Sequence, residues 1–150
     1  FKKLVAEGAD CLPITDERMT RFWITLPQGV NFVLSALAMA KGGEIFVPKI
    51  PSMSTIDLAR SIAPDLPHKV IGIRPGEKLH EEMISAEDAR RTIRQEDRYV
   101  VMPTLAEWGF VEPVGDSVPD GFSYTSDRNE MWLSVEDLQS MLAAISTPSA

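Results

Sequence analysis

Apolar and polar positions change rhythm several times along the 150-residue chain, and each change marks an element. The opening FKKLVAEG reads as a helix that stops at Gly8, and CLPIT (11–15) as a short extended piece interrupted by Pro13. The clearest helix is QGVNFVLSALAMA. Its Val30, Val33, Leu34 and Leu37 fall at i, i+3, i+4 and i+7 and make one apolar stripe, and Gly42 and Gly43 supply a left-handed stop. The start of this helix has two readings: Thr25 and Gln28 have capping-box spacing, whereas Pro27 at the first helical position makes Leu26 the cap. EIFVPKI (44–50) is a strand pattern closed by Pro51, after which Ser54 and Asp57 open a helix bearing Leu58, Ala59 and Ile62 that stops at Pro64. VIGIR (70–74) is another apolar run, and beyond Pro75 and Gly76 the spacing of Leu79, Met83 and Ala86 predicts a further helix. RYVVM (98–102) adds a strand, and Ser134 caps a last helix whose Leu138, Met141, Leu142 and Ile145 repeat the helical template.

Strands alternating with helices predict an α/β fold built on a parallel or mixed sheet flanked by helices. The stretch after the last strand contains Pro113, Gly115, Pro119 and Gly121 and little periodicity. The expected organisation is therefore an α/β region over 1–102, a long irregular loop over 103–132, a helix over 133–146 and a tail over 147–150 that frays.

Composition removes some classes of function. The net charge is −7 and the fifteen Lys and Arg are spread along the chain, which argues against a surface that tracks nucleic-acid phosphates. The longest apolar stretch, 30–40, is broken by Asn31 and Ser35 and falls short of the ~20 residues of a bilayer-spanning helix, so no membrane partner is expected. A lone Cys11 makes no internal disulfide and reads as a small core residue. With no leader pattern, the default setting is a reducing cytoplasm. Phe1 sits inside a helical pattern without an initiating Met, which suggests a fragment. His68 and His80 are the only histidines, and with one cysteine they give no zinc spacing, so His80 is expected on a helix surface.

Two polar constellations remain. In GIRPGEKLHEEM (72–83), Arg74 ends a strand, Pro75 and Gly76 turn the chain, and a helix is expected from about Glu77. Free N–H groups at such a helix start beside a guanidinium suit a nucleotide diphosphate, with Glu77 accepting from sugar hydroxyls or holding Arg74. The alternative is a solvated Arg74–Glu77 turn pair followed by a Lys78–Glu82 helix pair. The second constellation is TDERMTRFW (15–23), where Thr15, Asp16, Glu17, Arg18 and Arg21 crowd ahead of the long helix. These residues line a polar cleft on one reading; on the other they form a charged surface loop anchored by buried Phe22 and Trp23.

At LPITDERMTRFWITLPQGVNFV, EIFVPKIPSM, GIRPGEKLHEEMI and GFSYTSDRNEMWLSVEDL the chain closely resembles the C-terminal part of the inverting UDP-N-acetylglucosamine 4,6-dehydratases. These are extended short-chain dehydrogenase/reductase enzymes that open the pseudaminic acid pathway of bacterial flagellin glycosylation. The resemblance runs over essentially the whole chain, weakens over 103–120, and keeps the family's block order. Related retaining dehydratases are similar around RPGEK but carry Tyr where this chain has His80. The resemblance implies an extended Rossmann-type fold of which this chain is the C-terminal substrate-binding part, incomplete without an N-terminal half that holds NADP. It also implies UDP-N-acetylglucosamine as substrate and a homo-oligomeric, cytoplasmic bacterial parent. Substrate contacts carried over by it are Thr15, Arg74 and Glu77, with Arg21 and Lys78 in the same motifs as lining residues. It places no catalytic residue here: the chain has no glycine-rich strand-to-helix turn and no Tyr-x-x-x-Lys pair, since Tyr99 is followed at the fourth position by Pro103 and Tyr124 by Arg128. The chain alone is expected to be inactive, marginally stable, and to expose apolar surface. A retaining dehydratase or C4 epimerase, and a non-catalytic nucleotide-sugar-binding or oligomerisation module, are the rival readings.

Overall fold

A computed structural model describes residues 1–105 and 113–146, the side chains of 144–146 excepted. In chain order the first elements are α1 (Lys2–Ala6), β1 (Leu12–Ile14), β2 (Thr20–Phe22), α2 (Leu26–Met39), β3 (Ile45–Pro48), β4 (Ser52–Ser54), α3 (Thr55–Ile62) and β5 (His68–Val70). They are followed by β6 (Glu82–Ile84), a 3-10 turn (Ala89–Arg91), β7 (Thr92–Arg94), β8 (Arg98–Val101), β9 (Asp116–Ser117), β10 (Tyr124–Thr125) and α4 (Val135–Ser146). The chain divides into two compact units, one made of 1–23, 51–81 and 126–150, the other of 24–50 and 82–125.

In the first unit β1 and β5 lie parallel, Leu12 opposite His68 and Ile14 opposite Val70. Leu12 and Ile14 are completely buried with Ala59 and Ala63, and Phe1, Leu4, Ile56 and Leu66 pack around them. Full burial of a side chain the size of Leu12 or Ile14 contributes roughly 1.5–3 kcal/mol by leaving water. Ser54 caps α3, its Oγ accepting from the Asp57 amide at 3.0 Å, and Ser134 caps α4 in the same way at 3.1 Å. Both caps agree with the sequence, as does the burial of Leu138. β2 pairs antiparallel with β4, two three-residue strands that the sequence pattern did not separate from loop.

The second unit holds a four-stranded antiparallel sheet in the order β3-β8-β7-β9, with β6 and β10 as a separate antiparallel pair. Val100 and Val101 are buried at its centre, and Tyr99 packs against Phe122 and Tyr124 at 5.2 and 5.1 Å between ring centroids. α2 starts by the first of its two readings: Thr25 is the cap, Gln28 completes the box, and Pro27 stands second in the helix, where a missing N–H is harmless. No residue of α2 is buried, and the stripe of Val30, Val33, Leu34 and Leu37 is exposed, the last by 74%. The expected exposed apolar surface is therefore present.

Several expectations need correction. The alternation suggested a parallel or mixed sheet; among the described strands only β1 and β5 pair in parallel, and the pairings fall into separate small sheets. The apolar run at 70–74 supplies a strand that ends at Val70, because Gly72 turns the backbone to φ +87°. The helix expected after Gly76 does not form: residues 77–81 are irregular and β6 follows. Its backbone groups bond to distant segments instead, Leu79 O accepting from the Thr20 amide at 3.1 Å and Glu81 O from the Ser126 amide at 2.9 Å. Strand β7 was not anticipated, and the described part of 103–132 carries β9 and β10. Cys11 is half-buried rather than part of the core, and Phe22 and Trp23, read as buried anchors on one view, are also half-buried.

Candidate functional site

Thr15, Arg21, Arg74, Glu77 and Lys78 all belong to the first unit. The parallel β1/β5 pair explains the placement of three of them. Thr15 is the residue after β1, and the Ile71 amide extends the pairing by donating to Ile14 O at 2.8 Å. The chain then runs through Gly72 and Ile73 to Arg74, so Thr15 and the Arg74–Glu77 corner both lie beyond the carboxyl ends of parallel strands. Open α/β sheets commonly bind ligands at such ends.

The corner itself is a tight turn. The Glu77 amide donates to Arg74 O at 3.0 Å, with Pro75 and Gly76 between them and Gly76 at φ +81°. Pro followed by a residue of positive φ is the type II pattern, which glycine alone adopts without strain. The Glu77 carboxylate folds back and accepts from the Arg74 amide at 3.2 Å. Glu77 is thus half-buried and holds the turn closed, while Arg74 is exposed and its guanidinium has no protein partner among the described residues. Arg74 and Glu77 do form the solvated turn pair of the alternative reading, through backbone and carboxylate rather than through the guanidinium, whereas a Lys78–Glu82 pair is absent among the described residues. With no helix beginning at Glu77, the helix-terminus element of the anion reading falls away. What remains is a hydrogen-bonded turn presenting a guanidinium without a protein partner among the described residues, followed in sequence by the exposed Lys78.

Arg21 is placed differently. From β2 its guanidinium reaches the carbonyls of Thr20 at 2.7 Å, Leu79 at 3.2 Å and Lys78 at 3.0 Å. Below it lies a polar network that the sequence reading missed. Thr20 Oγ1 is 2.8 Å from His80 Nδ1 and 2.7 Å from Ser126 Oγ, and Ser126 Oγ also accepts from the Glu81 amide at 2.9 Å. Glu81 accepts from the Phe22 amide at 2.7 Å. His80 is accordingly a half-buried bridge in irregular backbone, not a helix-surface residue. Tyr124 and Ser126 are buried with the half-buried Thr125 between them, and this period-two alternation in SYTS was the signal available in the sequence.

Next to Thr15, Asp16 is held at a pKa of about 2, below its ordinary 3.8, first by the Arg18 side chain and then by the Arg18 amide, which donate to its carboxylate at 2.8–2.9 Å. The His/Cys/Asp/Glu side chains of the described residues form no group able to hold a metal ion. Among the described residues, one cavity of about 380 Å³ is lined by α1, α3 and α4, and another of about 410 Å³ lies in the second unit around Phe32, Lys49 and Arg98. No helix among the described residues is long and apolar enough to cross a membrane.

Comparison with known proteins adds independent findings. A profile of the family described as polysaccharide biosynthesis protein matches residues 1–103. The chain is 52% identical, over 92% of its own length and 44% of the relative's, to the UDP-N-acetylglucosamine 4,6-dehydratase (inverting) of Campylobacter jejuni. It is 36% identical to the capsular polysaccharide biosynthesis protein CapD of Staphylococcus aureus, over 57% of this chain and 15% of that one. It is 37% identical to the UDP-glucose 4-epimerase of Rickettsia canadensis, over 66% and 30%. Its fold matches the solved structure of Pen from Bacillus thuringiensis with a TM-score of 0.78 at 25% identity, covering 97% of this chain and 43% of that one. The fold class is α/β, as expected, and the chain spans less than half the length of the dehydratases and of the solved chain that it matches.

Proposed function

The chain belongs to the polysaccharide biosynthesis protein family, and from that premise we propose that it is the C-terminal substrate-binding portion of a UDP-N-acetylglucosamine 4,6-dehydratase of the C5-inverting kind, its task being to grip the uridine diphosphate. The observation that carries this reading is the Arg74 corner: an unpartnered guanidinium on a closed turn, beyond the same strand ends as Thr15. A guanidinium binds phosphate oxygens bidentately, and a turn already closed by Glu77 loses little freedom when it does so. Lys78 adds positive charge beside the diphosphate, and the Thr15 hydroxyl serves as donor or acceptor. Glu77 acts by keeping Arg74 in place, with its remaining carboxylate oxygen free for a ribose or sugar hydroxyl.

The nicotinamide cofactor of such a dehydratase, NADP on this reading, does not fit the residues of this chain. A dinucleotide turn needs glycines between a strand and the helix it feeds. Among the described residues, Gly8, Gly42 and Gly43 follow helices, Gly29 lies within α2, Gly72 and Gly76 lie between β5 and β6, Gly115 precedes β9 and Gly121 precedes β10. We therefore assign the cofactor and the catalytic residues to the portion of such relatives that this chain does not span, and expect no turnover from the chain alone. A bacterial cytoplasmic, homo-oligomeric parent acting in pseudaminic acid and flagellin glycan synthesis completes the proposal.

Calorimetry with UDP on the 150-residue chain tests it. A grip on one side of the ligand predicts a weak Kd of about 1 mM, and Arg74→Ala should weaken it by ~10-fold or more. Equal heats from wild type and variant would remove Arg74 from the site. A second reading, a C4 epimerase, is favoured by the epimerase relatives. NMR of the product of an enzyme containing this sequence separates the two, since only the dehydratase makes a C6 methyl.

A further inference from the structure

Arg21 stands in the proposed site as a lining residue, yet its surroundings give it a different task. Nη1 donates to Thr20 O and Leu79 O at 2.7 and 3.2 Å, Nη2 donates to Lys78 O and Met19 Sδ, each at 3.0 Å, and Nε lies 3.8 Å from Glu81 Oε1. A guanidinium has five N–H donors in a planar fork. Both terminal nitrogens here donate to protein acceptors, and Nε lies at ion-pair distance from Glu81, so the two nitrogens that would form a bidentate phosphate fork are already occupied. Glu81 in turn is fixed by accepting from the Phe22 amide at 2.7 Å through its other oxygen.

Two of the three carbonyls that Arg21 holds belong to Lys78 and Leu79, the first residues beyond the bond that closes the Arg74–Glu77 turn. The entrance of the same loop is pinned by the Ile71 amide on Ile14 O. One anchor is therefore on β1, the other on β2, and Thr15 lies between those two strands. Resting on the diphosphate-grip reading, we infer that Arg21 is a positioning residue: it staples the exit of the turn to β2 and so sets where the Arg74 guanidinium sits relative to Thr15. The order of action runs from Glu81 to Arg21 to the 78–79 backbone to Arg74. A lysine does not replace it, because a single ammonium lacks the planar fork that spans three carbonyls.

The test uses the 150-residue chain with UDP as probe, and compares wild type with Arg21→Lys and Arg21→Met. Backbone order parameters from NMR relaxation are measured on the free proteins. The inference expects Gly76 and Glu77 to fall from ~0.85 to below ~0.6 in both variants, while Leu12 and Ile14 stay near ~0.85 and show the fold intact. It also expects UDP affinity to fall ~10-fold in both variants, without rescue by lysine. Order parameters unchanged at Gly76 and Glu77 overturn it. So does affinity lost from a corner that stays rigid, which makes Arg21 a direct ligand contact, or affinity restored by lysine, which makes charge alone sufficient. If wild type does not bind UDP, the diphosphate reading fails, while the order parameters still decide whether Arg21 positions the corner.

Discussion

Asp16 and Arg18 show how much one local contact sets a residue's chemistry. The carboxylate of Asp16 titrates near 2 because Arg18 supplies both its side chain and its amide as donors. The folded value lies below the ordinary 3.8. The stabilisation this gives is accordingly complete above about pH 4 and is lost as pH falls through about 2. Arg18→Met should return the Asp16 titration toward ~3.9, read by NMR of the carboxyl carbon; a midpoint still near 2 would mean the amide alone suffices. At this scale the sequence was legible where a residue acts on its near neighbours, as in the Ser54 and Ser134 caps. It was silent where partners are far apart: Thr20 meets His80 sixty positions away and Ser126 more than a hundred away. Among the site candidates, spacing pointed to Glu77 and Arg74 as a pair, but only the folded turn shows the carboxylate bonded to the Arg74 amide and the guanidinium left free.

Elements were readable from sequence in proportion to how local their hydrogen bonds are. α2, α3 and α4 each carry a side-chain cap and an apolar stripe within one segment, and all three form. The Thr25–Gln28 capping box predicts that Thr25→Ala destabilises the chain by about 1 kcal/mol in chemical denaturation, with the loss of helix signal confined to the first turn of α2. No change in either quantity would show that α2 owes nothing to its cap. The stripe of Leu79, Met83 and Ala86 has helical spacing too, yet the segment is irregular and then a strand. Acceptors and donors from β2 and from 124–126 capture its backbone, and no pattern inside the segment records them. Three-residue strands such as β2, β4 and β7 are too short to display an alternation and escape notice for the same reason.

For the molecule as a whole, one feature among the described residues that function must explain is the bare face of α2. Val33, Leu34 and Leu37 are exposed by 64%, 61% and 74%, a contiguous apolar surface that soluble proteins seldom leave open. Replacing Leu34 and Leu37 together by lysine should lower binding of a hydrophobic dye and slow aggregation without lowering the melting temperature, since neither side chain is packed. A drop in melting temperature would show that the face is covered in solution. In the other unit, Thr15 follows β1 directly and Arg74 lies four residues beyond the end of β5. The most direct test of the diphosphate grip there is the map of amide shift changes when UDP is titrated into the labelled chain. The account predicts the largest changes at Thr15, Arg74, Gly76 and Glu77; changes confined to residues around Phe32, Lys49 and Arg98, or none at millimolar UDP, would contradict it.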